Sequence, residues 1–595
     1  MNTHQTFHGE TVATEDWAQR IQVVRGQFEV SVQPGRLPGE VLQANEAVRQ
    51  GKTEDAAALL SQDLLGKIEL RVEGDPPATD LCLIVARLLF DCKLYDRAEP
   101  WYRRVLEHYE HPILFDQLAQ ICARDRRRLT EAVAYGRRAC AADPENVGFL
   151  CGLAGNLMRS GPVEEGMALF LEARDLAPDD AAVGGMCLWN QHYLPGEDPE
   201  AIFQSYCHLA RFHAPASLSR KSHANDRDPE RRIRVGFISP DFRDHSVGRS
   251  FEPFLDGMNH DRLEAFGYGY VRDPDAVTAR FEEKFDCYRA VRSLSFHAIA
   301  DRVEQDRIDI LVTHGGHSED NCLAVLATHP APIQVDYGGI DTNGMSQIAY
   351  RLTDEVLDPP DLPRRYVEEL VYLPGGVLSW RPPIYSPLVG PLPARRNGYL
   401  TFGSFNNNAK INAVVLDLWA EVLRGDDRAR LILKFPGGSD AGVCDYYLAQ
   451  LARRAVSEER VTIYGLLSDY AHLDLYNQVD LVLDTYPYNG CITLQEGLWM
   501  GVPPVTLVGE SWVSRMGLGV LTRVGLEHYA ATDPAEYVAK ALQSAQDLNT
   551  LAALRSSLRE RMITSPLCDP ARLARDLEQA FRTMWRRWCR ESVSP

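Results

Sequence analysis

The hydrophobic pattern of the chain changes near residue 216. From residue 41 to 215, apolar residues recur at helical spacing with few prolines inside the segments. Beyond residue 232, short β-branched runs alternate with amphipathic segments, which is typical of parallel sheets covered by helices. The pattern predicts an α + α/β fold class, with helical repeats followed by two doubly wound Rossmann-like domains. The predicted strands are IRVGFIS (233–239), FGYGYV (266–271), IDILVTH (308–314), IQVDYGG (333–339), YLTFGSF (399–405), RLILKF (430–435), RVTIYG (460–465), DLVLDT (480–485) and PPVTLVG (503–509).

A period of 34 residues runs through the helical region. Ala98, Ala132 and Gly166 are 34 residues apart, and so are Pro144 and Pro178. This is the period of the tetratricopeptide helical hairpin, in which a small residue lets paired helices approach and a proline closes the second helix. A helical bundle with chance self-similarity is the alternative. Stacked hairpins form a concave surface, so we expect a protein or peptide to bind along the repeats.

Four segments follow from these patterns. Residues 1–40 form an N-terminal extension of unassigned role, and residues 41–215 form the repeats. A proline-rich break, RPPIYSPLVGPLPARRNG, separates the two α/β lobes. We place the lobes at 216–385 and 386–595.

Composition limits the partners and the compartment. The formal charge of the 595 residues is -20, which argues against nucleic acid or an anionic membrane as the main partner. The 13 cysteines are scattered singly, without a CxxC zinc pattern or a disulfide framework. The N-terminal stretch has no export signal, and no apolar run approaches the roughly 18 residues of a membrane span. We therefore expect a soluble, cytoplasmic protein.

The stretch LDTYPYNGCITLQEG (483–497) runs from a strand through a turn into a helix that begins near Ile492 or Thr493. Ligands of doubly wound sheets bind beyond the carboxyl ends of the strands. A helix start offers free N–H groups and a partial positive charge, and the hydroxyl of Thr493 adds a donor, so the site suits a phosphate. Glu496, one turn later, is placed to reach a ribose hydroxyl. The alternative is that Thr493 and Glu496 only cap the helix.

Two further turns carry candidate chemistry. In FGSFNNNAKI (402–411), Lys410 stands at a helix start, where it would neutralise a diphosphate. The alternative is an ordinary solvated lysine. In SPDFRDHSVGRSF (239–251), His245 is a candidate general base or phosphate ligand, with a structural histidine as the alternative.

Another polar cluster surrounds the strand IDILVTH. Asp306 and Asp309 lie at its beginning and His314 and His317 at its end, and we expect them to face the same cleft. The spacing of these residues does not match a tight metal-ligand motif. We therefore predict no metal site.

From about residue 231 to its end, the chain resembles the family of the O-GlcNAc transferases and the plant SPINDLY protein O-fucosyltransferases. Members carry tetratricopeptide repeats ahead of a two-lobed GT-B catalytic region. Several blocks, notably SPDF..HSV and FGSFNN, are most similar to the SPINDLY-like and bacterial branch. The resemblance is carried by RVGFISPDFRDHSVG, HPAPIQVDYGG, YRLTDEVLDPPD, VEELVYLPGG, TFGSFNNNAKI, LYNQVDLVLDTYPYNG and LWMGVPPVTLVGE.

The resemblance implies roles for particular residues. It makes the first lobe the acceptor side, where His245 matches a histidine discussed as the catalytic base and Asp306 matches an acidic residue proposed for the same role. It makes the second lobe the nucleotide-sugar side, where Lys410 matches the lysine that holds the donor diphosphate. The remaining donor-side positions that it implies are Asn407, His472, Asn489, Gly490, Cys491, Ile492, Thr493 and Glu496.

The chain also differs from the family pattern. Cys491 and Ile492 replace two of the usual threonines, HGGHS stands at 314–318, and GID stands at 339–341. These are donor-side and acceptor-side positions, so they leave the sugar and the acceptor open.

The resemblance implies a glycosyltransferase that moves a sugar, with inversion and without a metal, onto Ser/Thr hydroxyls of a protein. The first expected donor is UDP-GlcNAc; GDP-fucose is the alternative, and either is a substrate rather than a cofactor. Other readings are a small-molecule glycosyltransferase, an enzyme that acts on the nucleotide sugar itself, and a non-catalytic repeat scaffold.

Overall fold

The computed structural model describes residues 21–24, 27–30, 38–72, 79–196, 198–215, 218–219, 222–544 and 546–591. The chain forms two compact units, Met1–Ser160 and Gly161–Pro595. Most of the predicted extension over residues 1–40 lies outside the described residues. None of the helices in the described ranges is both long and apolar enough to cross a membrane.

The first unit consists mainly of helices. Two short strands, β1 (Ile21–Val24) and β2 (Gln27–Val30), pair antiparallel before them. The helices are α1 (Gly39–Arg49), α2 (Thr53–Leu59), α3 (Gln62–Val72), α4 (Thr79–Asp91), α5 (Tyr95–Leu106), α6 (Pro112–Cys122), α7 (Leu129–Ala142) and α8 (Val147–Ser160).

Neighbouring helices of this unit pack in pairs, α4 with α5, α6 with α7, and α7 with α8. Ala98 and Ala132, two of the small residues of the 34-residue period, are completely buried. Pro144 follows two residues after the end of α7, where it cannot interrupt helical hydrogen bonds. The predicted helical hairpins are therefore confirmed.

Three more helices open the second unit, α9 (Val163–Leu176), α10 (Ala181–Gln191) and α11 (Pro199–His213). The carboxylate of Asp180 accepts hydrogen bonds from the first turn of α10, and Asp198 does the same for α11. The predicted repeat region of 41–215 thus divides between the two units. Its last helices belong to the compact unit that contains the sheets.

The first lobe is a seven-stranded sheet in which all neighbouring strands are parallel, in the order β5-β4-β3-β6-β7-β8-β9. Its central strands are buried over nearly their whole length because helices cover both faces. In chain order the elements are β3 (Ile233–Ser239), α12 (Ser246–Gly257), β4 (Leu263–Gly269), α13 (Ala276–Lys284), β5 (Cys287–Ala290), α14 (Phe296–Gln305), β6 (Ile310–His314), α15 (Leu323–Ala327), β7 (Ile333–Tyr337), β8 (Tyr350–Thr353) and β9 (Glu369–Tyr372).

The second lobe is a six-stranded parallel sheet in the order β12-β11-β10-β13-β14-β15. The elements are α16 (Pro393–Asn397), β10 (Thr401–Ser404), α17 (Ala413–Gly425), β11 (Arg430–Lys434), α18 (Ala441–Ala452), β12 (Val461–Tyr464), α19 (Asp469–Leu475), β13 (Leu481–Leu483), α20 (Ile492–Trp499), β14 (Pro504–Leu507), α21 (Met516–Arg523), β15 (Ala530–Ala531), α22 (Pro534–Gln543), α23 (Leu548–Thr564) and α24 (Pro570–Glu591).

The last helix, α24, returns to the first lobe and packs against α12. Its Phe581 ring lies 6.4 Å from the ring of Phe237 on β3, and its Trp585 indole N–H donates to the carbonyl of Asp228 at 3.0 Å. The boundary predicted at residue 386 assigned the whole of this helix to the second lobe. Helix α24 therefore links the second lobe to the first.

All nine predicted strands are present, with ends that move by up to three residues. Within the two lobes, the strands β5, β8, β9 and β15 were missed, and the short pair β1 and β2 was not predicted in the extension. The four missed strands of the lobes are only two to four residues long, and β5 and β9 are not fully buried, so they give a weak hydrophobic signal. The fold class predicted from the pattern is confirmed.

Candidate active site

A cavity of about 590 Å³ lies between the two lobes of the second unit. Its walls come from the turns after β3, β6 and β7 in the first lobe, and from the turns after β10 and β13 in the second. Helix α10 adds Trp189, and Tyr193 follows that helix. Both sheets thus present the carboxyl ends of their strands to one space, where doubly wound folds bind ligands.

Lys410 lies on the second-lobe wall of this cavity. Its ammonium donates to the carbonyl of Asn489 at 2.8 Å and lies 4.0 Å from the centre of the Tyr488 ring. Desolvation lowers the pKa of Lys410 to about 8, although the nearby Asp484 carboxylate opposes the shift. The cation is therefore held at the turn that precedes α20.

The tip of α20 forms the adjoining part of the wall, through Cys491, Ile492 and Thr493. Cys491 is the N-cap residue, and its side chain makes no capping hydrogen bond. The first N–H groups of the helix therefore remain available to an anion. The hydroxyl of Thr493 donates to Oδ1 of Asn406 at 2.9 Å, which orients its oxygen at the same edge. Burial raises the pKa of the Cys491 thiol to about 11, so the thiol is neutral near pH 7.

Asp484 fixes the turn that carries these groups. One carboxylate oxygen accepts from the N–H groups of Thr485 and Gly490, each at 2.8 Å, and the other accepts from the hydroxyl of Thr506 at 2.7 Å. Asn489 supports the same turn, because its side-chain amide donates to the carbonyl of Thr485 at 2.8 Å. Burial raises the pKa of Asp484 to about 6. The turn is thus held by buried polar contacts on its inner side.

His245 faces the cavity from the first lobe, as the N-cap residue of α12. Its Nδ1 accepts a hydrogen bond from the N–H of Val247 at 3.4 Å and lies 3.2 Å from Oδ1 of Asp241. Because Nδ1 accepts in this cap, the neutral ring carries its proton on Nε2, and Asp241 stabilises the ring once it is charged. Desolvation lowers the pKa of His245, while Asp241 opposes that shift. A neutral imidazole can serve as a general base.

Glu496 and His472 form a pair beside the helix tip. Nε2 of His472 lies 2.9 Å from Oε2 of Glu496, and both side chains are largely buried. The His472 ring also contacts Phe405 at 5.8 Å. Neither residue lines the cavity itself; they lie one turn further along, where a group extending from the helix tip would pass.

Aromatic rings close the side of the cavity next to Lys410. Tyr193 stacks on Tyr488 with ring centres 5.3 Å apart. Asn412 holds this arrangement, since its side-chain amide donates to the carbonyls of Tyr193 at 2.8 Å and Tyr486 at 2.7 Å. The helical segment thereby contributes directly to the cavity wall next to Lys410.

One group of possible metal ligands occurs among the described residues, and it belongs to the first unit. The ligand atoms of Glu99, Cys122 and Glu131 lie within 4.8 Å of one another. Arg103 and Arg128 are ion-paired with both carboxylates. The two guanidinium groups already supply the positive charge that a cation would bring.

The family model described as Glycosyl transferase family 41 matches residues 210–378 and 394–577. These two segments cover both lobes and every wall of the cavity except the residues at the end of α10. The chain belongs to glycosyl transferase family 41.

Several family 41 relatives are similar to this chain. A protein of Solanum lycopersicum, named a probable UDP-N-acetylglucosamine–peptide N-acetylglucosaminyltransferase SPINDLY, is 36% identical over 69% of this chain and 45% of its own length. The SPINDLY protein of Arabidopsis thaliana is 39% identical over 62% of this chain and 41% of its own length. The chain thus spans less than half the length of these curated relatives. Its SEC relative in Arabidopsis thaliana is 28% identical over 65% of this chain and 40% of its own length.

A solved structure agrees with the fold. A mutant of the Thermobaculum terrenum O-GlcNAc transferase is 31% identical, with a TM-score of 0.79 over 93% of this chain and 98% of that one. The helical segment followed by a GT-B pair of Rossmann-like lobes is therefore the architecture of this family 41 chain.

Most of the predicted site residues meet in one place. Those that line the cavity are His245, Asn407, Lys410, Cys491, Ile492 and Thr493. Four others, Asn489, Gly490, His472 and Glu496, lie directly behind or beside this wall. What each does to a substrate stays a prediction.

Asp306 does not belong to this group, and its prediction as a cavity residue is wrong. Its carboxylate receives two hydrogen bonds from Arg289, both at 2.6 Å, and one from the hydroxyl of Tyr268 at 2.8 Å. It caps the end of α14, ahead of β6, whereas the cavity lies beyond the other end of that strand. The residues of β6 span roughly 15 Å between these edges.

Asp309 is likewise structural, because Arg231 binds its carboxylate at the same edge of the sheet. Of the cluster expected around β6, His314 does line the cavity. Burial lowers the pKa of His314 to about 3, so the ring is neutral. Residues at the two ends of β6 lie at opposite edges of the sheet, so they cannot face the same cleft. The prediction from the sequence did not take the direction of the strand into account.

Several residues of the cavity were not singled out from the sequence. Asn406 and Asp241 lie inside motifs that had been recognised, so their proximity to Lys410 and His245 was a usable signal. Trp189 and Tyr193 lie in the helical region, where aromatic residues ordinarily fill gaps between helices. Nothing in the sequence pattern connects these two residues to the α/β lobes.

Proposed function

We propose that this family 41 chain transfers a sugar from a nucleotide diphosphate to a Ser/Thr hydroxyl of a protein, with inversion and without a divalent metal. UDP-GlcNAc is the first donor to test. The observation that carries the proposal is the junction of Lys410 with the open tip of α20, in the cavity that His245 enters from the other lobe.

The donor diphosphate would lie between Lys410 and the N–H groups at Ile492 and Thr493. Negative charge grows on the diphosphate as the glycosidic C–O bond breaks. A fixed ammonium and a helix start therefore stabilise the transition state more than the bound donor. Because these groups supply the positive charge, the mechanism does not need a metal ion.

The acceptor hydroxyl would approach the anomeric carbon from the first lobe. The His245 imidazole takes the hydroxyl proton, the hydroxyl oxygen bonds to the anomeric carbon, and the diphosphate leaves from the opposite face. The carboxylate of Asp241, 3.2 Å from Nδ1, stabilises the imidazolium that forms. One displacement of this kind inverts the configuration of the sugar.

A protein acceptor is supported by two features. The SPINDLY and SEC relatives carry names that describe peptide glycosylation. The helical hairpins of the first unit have the architecture of peptide-binding arrays. We therefore propose that the acceptor is a protein or peptide that binds along the repeats.

The experiment combines binding with turnover. UDP and GDP are titrated into the full chain by calorimetry, and release of nucleotide is then followed with UDP-GlcNAc, UDP-glucose and GDP-fucose, with a protein mixture as acceptor. We expect UDP to bind and UDP-GlcNAc to be turned over, with the sugar found on Ser or Thr by mass spectrometry. Turnover of GDP-fucose alone would reassign the donor, and absence of binding to either nucleotide would leave only a repeat scaffold.

A further inference from the structure

Arg249, on α12 of the first lobe, faces carboxylates of the second lobe. Its Nη1 lies 3.8 Å from Oε1 of Glu496, and its Nη2 lies 3.8 Å from Oδ2 of Asp469. Its Nε donates to Oδ1 of Asp244 at 2.8 Å, one residue before His245. One guanidinium thus joins the loop that carries His245 to the donor-side helix α20.

The contact with Glu496 is the one that matters energetically. The Glu496 side chain is 9% exposed, and its other oxygen, Oε2, is occupied by His472. A carboxylate removed from water in this way depends on its partners for its charge and its orientation. Asp469, by contrast, is 88% exposed, so its pairing with Arg249 contributes little.

We propose that Arg249 is a positioning residue that couples occupancy of the nucleotide site to the orientation of His245. The inference rests on the proposed function and on the expectation from the sequence that Glu496 reaches the donor ribose. Arg249 acts through Glu496 on one side and Asp244 on the other, without touching the reacting atoms. Binding of the donor and alignment of the His245 loop are then coupled, because both depend on the contacts of one guanidinium.

The chemistry of arginine fits this role. A guanidinium presents its donors in a fixed planar fork, so one side chain can hold three carboxylates in different directions. A lysine at the same position would keep the charge but could not span these contacts. Arg249→Lys should therefore recover only part of the effect of the native residue.

The binding test is a double-mutant cycle on the full chain. UDP affinity is measured for the wild type, Arg249→Gln, Glu496→Gln and the double variant. The control is Arg302→Gln, which removes one positive charge from an exposed position on α14. We expect Arg249→Gln to weaken UDP binding by at least about fivefold and the double variant to be no weaker than Glu496→Gln. Thermal unfolding identifies any variant that has lost its fold.

The second readout is the pH profile of sugar transfer. A purely structural role of Arg249 would leave this profile unchanged. The charged groups around His245 are Asp241, Arg243, Asp244 and Arg249. Removal of the Arg249 cation makes the imidazolium less unfavourable and raises the pKa of His245. Since the base must be neutral, the acid limb of kcat should move to higher pH in Arg249→Gln, and Arg249→Lys should move it back only in part.

The outcomes separate the two proposals. If the wild type binds neither UDP nor GDP, the proposed function fails and this inference fails with it. If the wild type binds UDP but Arg249→Gln behaves like Arg302→Gln, the coupling role alone is overturned. Effects of Arg249→Gln and Glu496→Gln that simply add would overturn it as well, because residues acting through one contact cannot be independent.

Discussion

Lys410 and Asn489 are joined by a hydrogen bond of 2.8 Å from the lysine ammonium to the asparagine carbonyl, although they are 79 residues apart in the chain. The bond links the turn after β10 to the turn after β13. Because α20 begins three residues after Asn489, it also places the cation at the open end of that helix. The proposed diphosphate site depends on this one juxtaposition.

Replacement of Lys410 by methionine should lower turnover without removing the fold. The ammonium would stabilise charge that appears only as the donor bond breaks, so we expect kcat to fall by about 10²–10³. Lys52→Met, at an exposed lysine of the first unit, is the control and should change nothing. Equal turnover in the two variants would remove Lys410 from the mechanism.

The pH dependence of UDP binding should report the same lysine. Its pKa in the free protein is lowered to about 8, so Lys410 is charged at pH 7 and loses its proton as the pH rises through 8. Binding of the diphosphate favours the charged form. Affinity for UDP should therefore weaken by up to about tenfold per pH unit above pH 8. Calorimetric titration checks this, and Lys410→Met should abolish the slope.

The fold was predictable because it follows from local pattern. Strands such as IRVGFIS and RLILKF are buried on both faces and are visible as apolar runs. The 34-residue period marks the helical hairpins. What the pattern does not contain is the path of α24: its amphipathic spacing indicates a helix, but not that the helix packs on α12 of the other lobe.

The parts of the candidate site that are formed by the local geometry of one turn were predictable. The tip of α20 and the Lys410 turn are of this kind, since each follows a strand of one parallel sheet. Asp306 shows the limit. Its chemistry resembles that of a catalytic carboxylate, but its position at the opposite edge of the sheet is set by the direction of β6. Trp189 reaches the cavity through tertiary packing alone.

His245 and Asp306 should therefore respond differently to substitution. We expect His245→Ala to lower sugar transfer by about 10²–10⁴ while UDP affinity stays within about twofold, because the base acts on the acceptor proton. Asp306→Ala should leave kcat nearly unchanged and lower the free energy of unfolding by about 2 kcal/mol, because Arg289 and Tyr268 lose a charged partner.

Transfer kinetics and urea unfolding of the two variants provide the test. A large loss of kcat in Asp306→Ala at full stability would return the carboxylate to the mechanism. Unchanged transfer in His245→Ala would instead leave the cavity without its proposed base.

The attachment of α24 should be a major contribution to the stability of the second unit. Trp585 is completely buried, its indole N–H donates to Asp228, and Arg231 lies 4.6 Å from the ring centre. Trp585→Ala leaves a large cavity and an unpaired carbonyl, so the expected loss in the free energy of unfolding is about 3–5 kcal/mol. Arg575→Ala, at an exposed position of the same helix, should cost less than about 0.5 kcal/mol. Urea unfolding followed by circular dichroism measures both, and similar midpoints for the two variants would mean that α24 is not a stabilising link between the lobes.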